Sequence, residues 1–195
     1  MNSLLAVILC LFILPLCAMA EAAPQTENWV TVDLGDFTMQ MLDTDVLQRG
    51  VKEDEQLLFI AYTRYDESNM MHPNINGLWS QKRLTGIETA TQDELDAFGN
   101  QVIKEAKTAL LAKGVKIENE TLLSAQYAAN GGLILYYSMD YDYTALGIDL
   151  VTTLYQMQIY IDVDDGTYAF TLTGLTPETI LDQLDNYFAT IQFEE

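Results

Sequence analysis

Residues 152–173 read TTLYQMQIYIDVDDGTYAFTLT. Apolar and polar side chains alternate along both halves, and Asp164-Asp165-Gly166-Thr167 supplies a tight turn between them. The pattern predicts an antiparallel hairpin. Its core face carries Tyr155, Met157, Ile159 and Ile161 on one strand and Tyr168, Phe170 and Leu172 on the other. Just upstream, residues 122–129 and 133–143 read as a second hairpin across Asn130-Gly131-Gly132. There Leu133, Leu135, Tyr137, Met139 and Tyr141 share one face, and Ile134, Tyr136, Ser138, Asp140 and Asp142 share the other. Downstream, Thr176 is a helix N-cap with Pro177 in the first helical position. That closing helix is expected to turn Ile180, Leu181, Leu184, Phe188 and Ile191 to the core.

Working back toward the N-terminus, a long helix is predicted over residues 92–113. Thr91 and Glu94 form a capping box, Leu95, Phe98, Val102, Ala106, Ala109 and Leu110 make one apolar stripe, and Gly114 suits a left-handed C-cap. Two short strands, 29–34 and 37–42, break at Gly35-Asp36, with Phe37, Met39 and Met41 on one face. Residues 43–56 read as a polar connection turning at Gly50. A strand over 57–64 is apolar on both faces and belongs inside a sheet. A polar loop over 65–74 and a strand over 75–84 follow. The fold class is α/β of the α+β kind: an antiparallel β-sheet flanked by helices, in one domain over 29–195.

This order of elements resembles the PsbP-like α/β sandwich superfamily. The residues that carry the likeness are Trp29-Val30 with Phe37, the helix from Thr91, and the two hairpin turns. To these are added Tyr168-Ala169-Phe170-Thr171-Leu172-Thr173-Gly174 and a helix running into Thr190-Ile191-Gln192-Phe193. The superfamily includes an extrinsic photosystem protein, a Ran-binding import factor and small bacterial envelope proteins. The resemblance implies a binding or assembly module, not an enzyme, and carries over no metal-binding or partner-binding residue.

The first 20 residues hold both cysteines and no charged side chain. The apolar run Leu4–Leu16 spans 13 residues, too short for a bilayer span of about 20. It precedes Ala18-Met19-Ala20, a small-x-small cleavage pattern. Leu16 before Cys17 does not suit a lipoprotein site. The expectation is a signal peptide over 1–20, cut between Ala20 and Glu21, then a leader over 21–28. The mature chain is exported, periplasmic or secreted, and keeps no membrane span. Without cysteine it has no disulfide scaffold, thiol nucleophile or Cys-ligated zinc.

Charge narrows the function further. The chain carries 29 acids against 9 bases, a formal charge of −20. Residues 117–195 hold 13 acids and no base. Such a surface repels nucleic acid and draws cations or basic protein segments. His72, before Pro73 in a polar loop, is the only histidine and reads as solvated; no Gly-x-Ser-x-Gly elbow and no phosphate-binding glycine loop is present. Catalysis and a bound cofactor are therefore not expected. The leading expectation is an exported binding module whose acidic surface recognises a basic protein partner. The alternative is a Ca²⁺-binding protein using Asp140, Asp142 and Asp162, placed by the strand pattern on one sheet face. Asp162-Val163-Asp164-Asp165-Gly166 is not an EF-hand loop, since no glutamate stands at its twelfth position. Asn119-Glu120-Thr121 satisfies the N-glycosylation rule.

Overall fold

Alternating strands pair antiparallel throughout, and the two hairpins read from sequence become four adjacent strands at one end of a larger sheet. The computed structural model describes residues 27–193 except 55, 68, 70 and 129–131. The expected signal peptide with Ala20 and Glu21, the leader up to residue 26, and Asn130-Gly131 of the first turn lie outside the described residues. The main sheet has seven strands in the order β3-β4-β5-β9-β8-β7-β6. These are β3 (Val46–Arg49), β4 (Gln56–Tyr62), β5 (Asn74–Ser80), β6 (Lys116–Tyr127), β7 (Gly132–Asp142), β8 (Val151–Val163) and β9 (Gly166–Gly174). A small sheet, β1 (Trp29–Asp33), β2 (Phe37–Leu42) and β10 (Gln192–Phe193), has the order β1-β2-β10.

Helix α1 (Gln92–Ala112) starts as its sequence dictates: Thr91 Oγ1 accepts from the Glu94 N–H, and the Glu94 carboxylate accepts from the Thr91 N–H at 2.8 Å. Gly114, at φ 86°, ends it, and the Val115 N–H returns to the Leu110 carbonyl at 3.0 Å. Helix α2 (Pro177–Asn186) is capped by Thr176. Among the described residues no helix is long and apolar enough to cross a membrane.

Both faces of the main sheet are cores. On one, α1 lays Leu95, Val102, Ala106 and Leu110 over Leu133, Leu135, Tyr137, Met139 and Tyr141 of β7 and Leu154 and Tyr160 of β8. On the other, β2 sets Phe37, Met39 and Met41 against Phe59, Ile75, Ile159, Tyr168, Phe170 and Leu172, joined by Ile180 and Tyr187 from the C-terminal segment. Close approach here requires Gly77: a Cβ would come within 2.6 Å of Phe59 Cε1.

The structure departs from the sequence expectation in several places. Helices do not flank the sheet symmetrically, because the small sheet shares the second face with α2. Residues 46–49, read as polar connection, form the edge strand β3, and β6 begins at Lys116, six residues before the expected start. In α2, Leu181 is 54% exposed while Gln183 is fully buried in its place. The Gln183 amide donates to Thr63 Oγ1 at 2.9 Å and to the Thr173 carbonyl at 3.2 Å, which satisfies its burial. His72 is half-buried rather than solvated. Its ring stacks on Tyr65 at 4.5 Å and meets the edge of Tyr62 at 6.1 Å. Burial there pushes the imidazole pKa down.

Candidate partner-binding face

The register of β7 against β8 pairs Ile134 with Ile159, Tyr136 with Met157, Ser138 with Tyr155 and Asp140 with Thr153. Side chains alternate across a strand, so these eight residues all lie on the face opposite α1. The small sheet and α2 cover this face over β4, β5 and β9, and α2 also reaches β8. Ile159 is buried, but Ile134, Tyr136, Ser138 and Asp140, with Tyr155 and Met157, are only half-buried, and Thr153 is exposed. The edge strand β6 adds Thr121, Ser124 and Gln126 to the same face. A patch of four large apolar side chains therefore continues out of the core toward solvent.

Its geometry is fixed. The Tyr136 and Tyr155 rings stack with centroids 6.4 Å apart and planes at 30°. Burial, with Tyr155 and Glu178 nearby, pushes the Tyr136 hydroxyl pKa up and keeps it a neutral donor and acceptor. At the end of the patch Asp140 accepts from Asn119 Nδ2 at 2.7 Å and Thr153 Oγ1 at 2.6 Å. Asp142 accepts from the Thr144 N–H at 2.9 Å and the Thr144 hydroxyl at 2.6 Å. The hydroxyls of Thr153 and Thr144 hold these two carboxyls below the usual carboxylate range, so both are anions at neutral pH. Asn119, in a left-handed backbone at φ 49°, is exposed and braced by its bond to Asp140.

Asp162 does not join them. In this register the even-numbered residues of β7 share a face with the odd-numbered residues of β8, so Asp162 points to the α1 side. It also lies nine positions along β8 from Thr153, about 30 Å away. There it accepts from the Leu84 N–H at 3.1 Å and from the Thr167 hydroxyl, and faces Arg83 Nε at 3.9 Å. This corner borders a cavity of about 470 Å³ between the 83–88 loop and Tyr127, Leu133 and Tyr160. The three aspartates expected on one face are thus divided between two. Among the described residues no group of three or more His, Cys, Asp or Glu side chains could hold a metal ion.

The residues of the patch were only partly foreseen. Sequence placed Tyr155 and Met157 in the core and Tyr136 on the far side of its strand from the core; the structure puts all three on one half-open face. The available signal was Tyr136 itself, an aromatic in line with Asp140 and Asp142 at period two.

No protein-family model matches the chain, and no curated protein matches it in sequence. Solved structures do match. Cyanobacterial PsbP (CyanoP) from Synechocystis sp. PCC 6803 superposes with a TM-score of 0.51 at 10% identity, covering 92% of this chain and 99% of that one. The Saccharomyces cerevisiae Ran-binding protein Mog1p superposes with a TM-score of 0.52 at 10% identity, covering 86% and 96%. The fold is that of the PsbP-like sandwich. Among the described residues of this chain, α1 covers one face of the sheet and Ile134, Tyr136, Tyr155 and Met157 on the opposite face are only half-buried.

Proposed function

We propose that the protein is an exported, non-enzymatic binding module whose half-open sheet face receives a protein partner with a basic surface. The observation that carries this reading is the patch of Ile134, Tyr136, Tyr155 and Met157 edged by the ionised Asp140 and Asp142. Aromatic and methionine side chains supply desolvated contact, and an acidic margin selects what approaches. Past Lys116 the sequence has 13 acids and no base to offset them. A second copy of the chain, also at −20, is repelled, so the fitting occupant is a different protein presenting lysine or arginine around an apolar centre. The fold neighbours support the class: one of them is a Ran-binding protein. The uncharged, apolar N-terminal segment ending in Ala18-Met19-Ala20 supports export.

Site-specific photo-cross-linking tests the reading. A benzophenone amino acid at position 136 is compared with one at Leu111, which is 62% exposed on α1 across the sheet. The expected result is one basic protein captured from position 136 and not from 111, lost at high salt and weakened by Asp140→Asn/Asp142→Asn. Equal capture from both positions, or salt-independent capture of an acidic protein, overturns it.

A further inference from the structure

Lys52, in the connection between β3 and β4, is held in a cage built by four other segments. Its Nζ lies 3.2 Å from Asp36 Oδ2 and 3.2 Å from Asp165 Oδ2. It also lies 4.9 Å from the ring centroid of Trp79 and 5.5 Å from that of Tyr168. Asp36 comes from the β1–β2 turn, Asp165 from the β8–β9 turn, Trp79 from β5 and Tyr168 from β9. Two anions and two aromatic faces converging on one point describe a receptor for an organic ammonium.

The two aromatic walls are packed into the core, and the occupant is not part of them. Trp79 and Tyr168 are buried, and the Tyr168 hydroxyl donates to Asp36 Oδ2 at 2.8 Å, fixing the carboxylate that meets the cation. Among the described residues the buried Trp79 Nε1 has no hydrogen-bond partner. It lies under Gly166, where a Cβ would come within 2.9 Å of it, so the polar edge of the indole points toward the turn that carries Asp165. Lys52 belongs to an irregular segment held by single backbone bonds such as Glu53 N–H to the Val51 carbonyl at 3.0 Å. Its side chain is one-third exposed, which leaves the mouth of the cage open. Burial opposes the Lys52 charge, but its oxygen neighbours, Tyr168 first and then Asp36 and Asp165, outweigh that and raise its pKa. Tyr168 pairs with Ile161 of β8, so the cage adjoins the lower end of the half-open face.

We propose that this cage is a binding site for the primary ammonium of a lysine presented by a partner protein, and that Lys52 fills it when no partner is bound. The assignment of the ligand's source rests on the basic-partner reading above. The exchange is ammonium for ammonium and breaks no other interaction of the cage. A tethered Lys52 competes at an effective concentration of order millimolar, so an incoming lysine succeeds only when the neighbouring face contributes contacts as well.

The site can be tested without the partner. The chain has only two tryptophans, Trp29 and Trp79, so two indole N–H signals are expected in ¹⁵N-labelled protein, assigned with Trp29→Phe. n-Butylammonium chloride is titrated to about 50 mM against sodium chloride at equal ionic strength, a range set by the millimolar competition from Lys52. In Lys52→Gln and Lys52→Met, each checked for a cooperative melt, the Trp79 signal should shift and saturate. The parent should need about tenfold more amine, and Lys52→Gln/Asp36→Asn should not respond. No saturable shift in either Lys52 variant, or the same titration in parent and variants, overturns the site. A positive titration with a failed cross-link at position 136 leaves the cage standing and removes the partner reading.

Discussion

Arg64 grips Asp182 through two parallel hydrogen bonds, Nε to Oδ2 at 2.8 Å and Nη2 to Oδ1 at 2.9 Å, across 118 residues of chain. The same residue's N–H donates to Asp45 Oδ1 at 2.7 Å, and its guanidinium also reaches Glu27. Arg64 holds a left-handed backbone at φ 48°, a conformation that needs outside support in a non-glycine residue. One residue thus ties α2 and the start of the described chain through its side chain, and the β2–β3 turn through its backbone, to the end of β4.

Asp182→Asn should therefore cost about 1 kcal/mol at neutral pH, a modest figure because both side chains are partly exposed and screened. Arg64 holds the Asp182 carboxyl below the usual carboxylate range. A depressed folded-state pKa gives stability that is complete above the unfolded value near 3.8 and is lost as pH falls through the folded value. Thermal melts of parent and variant should differ at pH 7 and converge below about pH 4. A gap that stays constant into acid would show that the substitution acts through packing.

Phe170→Ala should cost about 3–5 kcal/mol, the range for emptying a buried aromatic site. Phe170 is fully buried, with Phe188 at 5.4 Å, Phe37 at 5.5 Å, Tyr168 at 6.2 Å, Phe59 at 6.4 Å and Phe193 at 6.5 Å between ring centroids. The check is urea unfolding: the midpoint should fall with little change of slope.

Much of this was legible because the signals were local. Thr91 and Glu94 mark the start of α1, Gly114 marks its end, and Phe37, Met39 and Met41 are buried as their period-two spacing requires. The two faces of β8 are legible in its alternation, but which of them lies on the α1 side is not. Gln156 and Gln158 make its second face look solvated, yet the structure buries both: Gln156 Oε1 accepts from the Tyr141 hydroxyl and Gln158 Nε2 donates to the Tyr137 hydroxyl. β7 and β8 turn their expected core faces to opposite sides of the sheet, Leu133, Leu135 and Tyr137 toward α1 and Ile159 away from it, so Asp162 falls across the sheet from Asp140 and Asp142. Val46 to Arg49 is too short for its periodicity to show β3 as a strand. The candidate site suffered most: a half-open patch is defined by where the small sheet stops, which depends on contacts between residues far apart in sequence.

The buried network itself is testable. Gln158 Nε2 donates to the Tyr137 hydroxyl at 3.0 Å, and the Tyr160 hydroxyl donates to Gln158 Oε1 at 2.6 Å, with all three side chains buried. Gln158→Leu should cost about 1–3 kcal/mol for each hydroxyl it strands. Tyr137→Phe/Gln158→Leu/Tyr160→Phe, which removes all the polar groups together, should recover most of that loss. A triple variant less stable than the single one would mean that shape, not hydrogen bonding, sets the cost.

Calcium should leave the melting temperature unchanged once ionic strength is matched. A specific site would stabilise the fold by about 2.7 kcal/mol at a hundredfold excess over its dissociation constant, several degrees for a domain of this size. Ca²⁺ takes six to eight oxygen ligands. Asp140 and Asp142 offer adjacent carboxylates on one face, but each already accepts two hydrogen bonds, and Asp162 faces the other side of the sheet. Differential scanning calorimetry in millimolar CaCl₂ against NaCl at equal ionic strength decides the point. A calcium-specific rise abolished by Asp140→Asn/Asp142→Asn would show that these two carboxylates recruit the remaining ligands from main-chain carbonyls or water, and the acidic end of the half-open face would then be a cation site.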